Sequence, residues 1–149
     1  MGRREGRLGL TTALARVAFL VNAAYTEASR EFGFSPQQGQ FLCVLRPGPC
    51  GMGELGAVMG LAKSTVTGMV NYAERNGLVR READPGDSRA VSVALTSHGR
   101  EVADKFYADG SRRIEQLAVS LTEDERSTLA ALLGRVADDN KVSVIFMEV

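Results

Sequence analysis

A chain of 149 residues is long enough for one packed domain, or for a small domain with association helices attached. Its hydrophobic share of 44% and charged share of 24% are those of an ordinary globular protein, and no run approaches the roughly 18 apolar residues of a membrane span. Lys plus Arg and Asp plus Glu both number 18, so the formal net charge is zero; a broadly basic surface is excluded, and any basic patch must be local.

Arg3, Arg4 and Arg7 lead into no long apolar run, so the sequence carries no secretory signal pattern and a cytoplasmic location without membrane association is expected. From residue 10 to 32, Leu14, Val17, Val21, Ala24, Ala28 and Phe32 recur at spacings of three and four, which predicts an amphipathic helix ended by Gly33. Ser35-Pro36-Gln37-Gln38 reads as the next helix start, with Ser35 as N-cap, Pro36 in the first turn and Gln38 completing a capping box. That helix should run to about Leu45, where Pro47-Gly48-Pro49 stops it.

The two cysteines form no disulfide framework and no metal-ligand spacing. Cys43, between Leu42 and Val44, reads as a small core residue, and Cys50 as an exposed turn residue; redox sensing by either is the competing reading, with Arg46 the nearest charge able to favour a thiolate.

Residues 53 to 59 predict a short helix with Leu55, Val58 and Met59 inward, closed by Gly60. The turn Leu61-Ala62-Lys63 leads into a helix from Ser64 to Asn76 with Gly77 as its C-terminal glycine, which is the spacing of a helix-turn-helix. Next comes a hairpin: Val79, Arg81 and Ala83 alternate with polar neighbours, Asp84-Pro85-Gly86-Asp87 turns, and Val91, Val93 and Leu95 alternate again. Helix resumes near Thr96 through Val102, Phe106, Ile114 and Leu117, with a break expected at Gly110. Thr122 and Glu125 form a second capping box opening a last helix with Leu129, Leu132, Leu133 and Val136. The fold class is thus mainly α with a small β-hairpin.

At about 100° per residue, the helix from Ser64 places Val66, Met69, Val70 and Ala73 on one side. Ser64, Thr67, Gly68, Asn71 and Arg75 fall opposite, flanked by Thr65 and Tyr72. Hydroxyls, an amide and a guanidinium are groups that hydrogen-bond phosphates and base edges, although the same face also fits a merely solvated helix. Arg80 and Arg81 lie at the hairpin base and Arg89 at its tip beside Asp87, where arginine suits a narrow minor groove or simply an edge strand that resists aggregation.

These segments together resemble the MarR (multiple antibiotic resistance regulator) family. The likeness runs through SPQQGQFLCVL, ELGAVMGLAKSTVTGMV, RNGLVRREADPGDSRAVSVALT and LTSHGR, from Ser35 to Arg100. It implies a winged helix-turn-helix over residues 35–96 and a helical dimerisation region over 8–34 and 97–149. It also implies a homodimeric transcription regulator, in the repressor sense, acting on a pseudo-palindromic duplex operator. Lys63, Ser64, Thr65, Thr67, Gly68, Asn71, Arg75, Arg80, Asp87 and Arg89 would meet DNA, with Arg89 in the minor groove oriented by Asp87. A small aromatic or anionic effector would release the DNA from a crevice for which Phe19, Ala23, Phe41, Leu45 and Phe106 are the candidates, unless these five are simply core. The resemblance implies no cofactor and no metal.

Three positions depart from the family pattern. Ala62 stands where a capping Ser is common, and Gly68 and Tyr72 stand where arginines or polar residues often lie. Gly68 either lets the helix backbone approach DNA or marks a reader of weakened electrostatic affinity. Between Lys63 and Arg89 the net charge is only +1, from Lys63, Arg75, Arg80, Arg81 and Arg89 against Glu74, Glu82, Asp84 and Asp87. A winged-helix protein-interaction module with lost or weakened DNA binding is therefore the alternative. An enzyme is not expected: His98, the one histidine, has no nucleophile in a recognisable motif beside it, and GMGELGAVMG lacks a preceding strand and the lysine of a phosphate loop. The apolar end from Val142 to Met147 predicts packing against the first helix or a partner subunit.

Overall fold

The computed structural model describes residues 9–84 and 86–141. The expected packing of Val142 to Met147 therefore lies outside the described residues, as do Arg3, Arg4 and Arg7. Six helices and a three-stranded sheet follow in the order α1 (Leu10–Arg30), α2 (Pro36–Val44), β1 (Cys50–Gly51), α3 (Met52–Met59), α4 (Lys63–Arg75), β2 (Val79–Asp84), β3 (Asp87–Leu95), α5 (Ser97–Leu117) and α6 (Glu123–Asp139). None of the described helices is long and apolar enough to cross a membrane.

Local signals set most boundaries. Ser35 accepts from the Gln38 amide and Pro36 fills the first turn of α2. The reciprocal half of the expected capping box is absent, because the Gln38 side chain, buried, donates instead to the Met69 carbonyl 3.3 Å away and ties α2 to α4. Gly60 takes φ 64°, turning the chain out of α3. α4 starts one residue before the expected Ser64, and its N-cap, Ala62, supplies no side-chain bond. Its other end is a Schellman turn: the Leu78 and Gly77 amides donate to the Ala73 and Glu74 carbonyls at 2.9 and 3.1 Å, with Gly77 at φ 70°. Thr96 caps α5, and Thr122 with Glu125 forms the expected reciprocal box on α6.

α5 does not break at Gly110. Gly110 is buried beside the Tyr25 ring, so the small residue serves close packing of α1 on α5 rather than interruption. Likewise a Cβ at Gly39 would fall 2.4 Å from the Phe106 ring, so α2 crosses α5 with the Gly39 backbone against that ring.

The sheet has strand order β1-β3-β2, with Val79 opposite Leu95 and Arg81 opposite Val93. β1 escaped the sequence reading because two residues carry no period. Its presence overturns the expectation for Cys50, which pairs with Val93 and is buried. Phe41, Leu42, Leu45, Leu55, Val66, Val70, Ala73, Leu78, Val79, Val93 and Leu95 form one core joining α2, α3, α4 and the sheet. Each full burial of a Val or Leu side chain contributes about 1.5–3 kcal/mol. Against this, α6 has no buried residue.

Candidate nucleic-acid interface

The inward face of α4 is as its period requires: Val66, Val70 and Ala73 are buried and Met69 is packed partly against the core. That burial fixes the rotation of the helix and leaves Ser64, Thr65, Gly68, Asn71 and Arg75 exposed, with Thr67 half-buried. Thr67 donates its hydroxyl to the Lys63 carbonyl at 2.9 Å, and the Asn76 amide donates to the Tyr72 carbonyl at 2.8 Å, so both return to their own helix. A Cβ on Gly68 would meet nothing within 4 Å.

The hairpin packs beside this helix, and its arginines divide. Arg80 donates to Glu82 at 2.6 Å and to the Leu95 carbonyl at 2.8 Å. Arg81, on the opposite face of β2, reaches α4: it donates to the Asn71 side-chain oxygen and lies 3.5 Å from a Glu74 carboxylate oxygen. Arg89 is exposed, and its guanidinium has no partner among the described residues. Asp87 does not orient that guanidinium as expected. Its carboxylate accepts the Arg89 backbone amide at 2.9 Å, shaping the turn instead. At the other side of the turn, Asp84 accepts the Gly86 amide at 2.8 Å. Within the described residues, Lys63, Arg75 and Arg89 are thus the cations on this face without an acidic partner, whereas Arg80 and Arg81 are internally neutralised.

The geometry finds its counterparts among known proteins. A model of the MarR family matches residues 32–90. The HTH-type transcriptional regulator YkoM of Bacillus subtilis is 34% identical over 132 residues, covering 88% of this chain and 86% of the relative. The chain belongs to the MarR family. The apo form of wild-type MarR from E. coli superimposes with a TM-score of 0.76 at 26% identity, covering 88% of this chain and 98% of that one. A mutant MarR from E. coli complexed with operator DNA does so with a TM-score of 0.73 at 26% identity, over 87% and 94%. The fold is therefore a winged helix-turn-helix, with α3 and α4 as the helix pair and β2–β3 as the wing, and this MarR-family chain is a transcription regulator.

The five residues named for an effector crevice are placed apart from one another. Phe19 is 78% exposed and Ala23 is exposed, on the face of α1 turned from the protein, while Phe41 and Leu45 are fully buried core. Of the five, Phe106 lines a cleft. That cleft, about 260 Å³ in volume, lies between α1, α2 and α5 and is lined by Tyr25, Gln40, Cys43, Arg46, Phe106, Tyr107, Ser111, Ile114 and Glu115. Arg46 stands at its rim with its guanidinium 3.9 Å from the Tyr107 ring centroid and 2.9 Å from Asp104. Tyr25 and Phe106 stack at 6.1 Å, and Phe32 and Phe34 extend the aromatic cluster. Cys43 faces the cleft half-buried, and burial pushes its thiol up to about 12. Burial and the neighbouring Glu54 carboxylate push Cys50 up to about 11. Neither cysteine is a ready thiolate.

Sequence reasoning missed Arg81 as a contact of the reading helix and Gln38 as its tether. The first was legible in principle, because Arg81 shares the parity of Val79, which is buried. The second was not, since a buried glutamine looks like any capping residue until its distant partner is known.

Proposed function

We propose that this MarR-family regulator binds duplex DNA as a homodimer, through α4 in the major groove and the β2–β3 wing in the neighbouring minor groove. The observation that carries this reading is an outward polar α4 face joined to the wing through Arg81, together with an exposed Arg89 on that wing whose guanidinium has no partner among the described residues. Ser64, Thr65, Thr67, Gly68, Asn71 and Arg75 form the reading surface. Lys63 and Arg89 contact backbone and minor groove, and Asp87 holds the turn that presents Arg89. Arg80 acts through its ion pair with Glu82, steadying the wing rather than touching phosphate.

Dimerisation rests on α1, α6 and the end of α5. Leu10, Leu14, Val17, Phe19, Leu20, Leu117, Leu129, Leu132, Leu133 and Val136 are exposed, an apolar surface that a monomer does not carry without cost. We assign residues 8–34 and 97–149 to dimerisation and 35–96 to the reader. A two-fold dimer requires half-sites about one helical turn, 10–10.5 bp, apart. A dimer bound where its operator overlaps a promoter would exclude the polymerase, which is the repressor sense proposed for it. A small aromatic or anionic effector fits the cleft beside Arg46 and Tyr107. Occupied, the cleft would alter the packing of α2 on α5 and, through Gln38, the seat of α4.

Fluorescence anisotropy against the DNA upstream of the protein's own gene tests the reading. Specific binding by the wild type, weakened at least tenfold in Arg89→Ala, supports it. Equal binding to any duplex, or none, favours a protein-interaction module, which the low local charge and the internal neutralisation of Arg80 and Arg81 support.

A further inference from the structure

The polar side chains of α4 are not equally free. Thr67 and Asn76 bond back to carbonyls of their own helix, but Asn71 is held from outside it, by Arg81 of β2. A guanidinium has donors only, so the atom it meets on Asn71 is Oδ1, and the amide orientation is fixed by chemistry. Arg81 is itself anchored a turn further along the helix by Glu74, 3.5 Å away, and by its strand register opposite Val93. The bridge spans Asn71 and Glu74, three residues apart and hence on one side of α4.

A free asparagine on a reading helix presents both a donor and an acceptor, the pair that matches adenine N7 and N6 in the major groove. With Oδ1 engaged by Arg81, the Nδ2 hydrogens are what Asn71 has left to offer. That edge complements acceptors, guanine O6 and N7 or thymine O4, whereas at adenine only N7 would be met and the N6 donor would be left without its acceptor. Resting on the reading of α4 as the DNA-contacting helix, we propose that Arg81 is a specificity-positioning residue, which fixes the Asn71 amide with its donors toward the base edge and thereby selects against adenine at one base pair of each half-site. Arg81 does this without neutralising phosphate, since Glu74 already balances its charge.

The test is a binding selection from random duplex DNA with wild type, Asn71→Ala and Arg81→Ala, each first shown by thermal denaturation to be folded, together with the salt dependence of affinity. The expected result is that Asn71→Ala and Arg81→Ala relax the same base pair, where the wild type excludes adenine by about tenfold or more, and leave the other positions unchanged. Arg81→Ala should also keep the wild-type salt slope. The inference is overturned if Arg81→Ala returns the wild-type motif, if it relaxes a different position, or if it weakens all sequences equally while the salt slope falls by about 1 per subunit, the mark of a lost phosphate contact. If the wild type itself enriches no motif, the DNA-reading assignment fails instead, and the two failures are distinct.

Discussion

Gly99, in the first turn of α5, lies against the Leu78 backbone so closely that a Cβ there would fall 1.7 Å from the Leu78 carbonyl oxygen. The same junction is laced by hydrogen bonds: the Thr96 amide donates to Leu78 at 3.0 Å and the Thr96 hydroxyl to the Gly77 carbonyl at 2.6 Å. This seam joins the end of α4, the base of the wing and the start of α5, so it transmits the position of one to the others. Gly99→Ala must push backbone apart, and overpacking of this kind costs about 1–3 kcal/mol or more. Urea denaturation should show that loss, and an unchanged midpoint would mean the seam is looser than described.

Gly68 behaves oppositely. Its added methyl meets nothing in the free protein, and removing a helix-interior glycine is worth up to about 1 kcal/mol. Gly68→Ala should therefore melt at a higher temperature. If the helix backbone approaches DNA at this point, the same variant loses about tenfold in operator affinity. A variant that is both more stable and equally tight would show that Gly68 serves no close approach.

The thiols give a chemical prediction. Burial pushes the Cys43 thiol up to about 12, and burial with the Glu54 carboxylate pushes Cys50 up to about 11, so both carry far less thiolate at pH 8 than in an unfolded chain. A colorimetric disulfide reagent at pH 8 should label the native protein slowly and the urea-unfolded protein rapidly. Rapid labelling of native Cys43 would revive the redox reading.

The salt dependence follows from the cation count. Lys63, Arg75 and Arg89 in two subunits make about six phosphate contacts at most, which sets a slope of log K against log salt near −5. A slope steeper than about −6 would show that Arg80 or Arg81 leaves its carboxylate partner on binding DNA.

Leu132 is 53% exposed at the middle of α6, between Leu129 and Val136 on a helix with no fully buried residue among the described ones. Leu132→Glu should convert a dimer into a monomer in sedimentation while the core of α2 to β3 stays folded. A dimer that tolerates the charge would place the interface elsewhere.

How far the sequence carried these conclusions depends on the range of each interaction. Caps and glycines act over three or four residues, so Ser35, Thr96, Thr122, Gly60 and Gly77 mark their elements from sequence alone. The α4 faces were equally legible, because Val66, Val70 and Ala73 obey one period. What failed depended on distant partners. Gln38 finds Met69 across 31 positions, Cys50 finds Val93, and Arg46 finds Asp104 across 58. The cleft was misplaced for the same reason. Phe41 and Phe106 are both buried aromatics, and only the crossing of α2 on α5 decides which one borders open space. Gly110 suggested a break because a glycine looks alike whether it ends a helix or admits Tyr25.

The claim on which the rest depends is that two copies of this chain read one duplex. Selection from random duplex DNA, followed by native mass measurement of the complex with the enriched sequence, tests it most directly. The expected result is a pseudo-palindrome with half-sites about one helical turn apart, occupied by two protomers. Enrichment of no sequence, or of a single asymmetric site bound by one protomer, would contradict it.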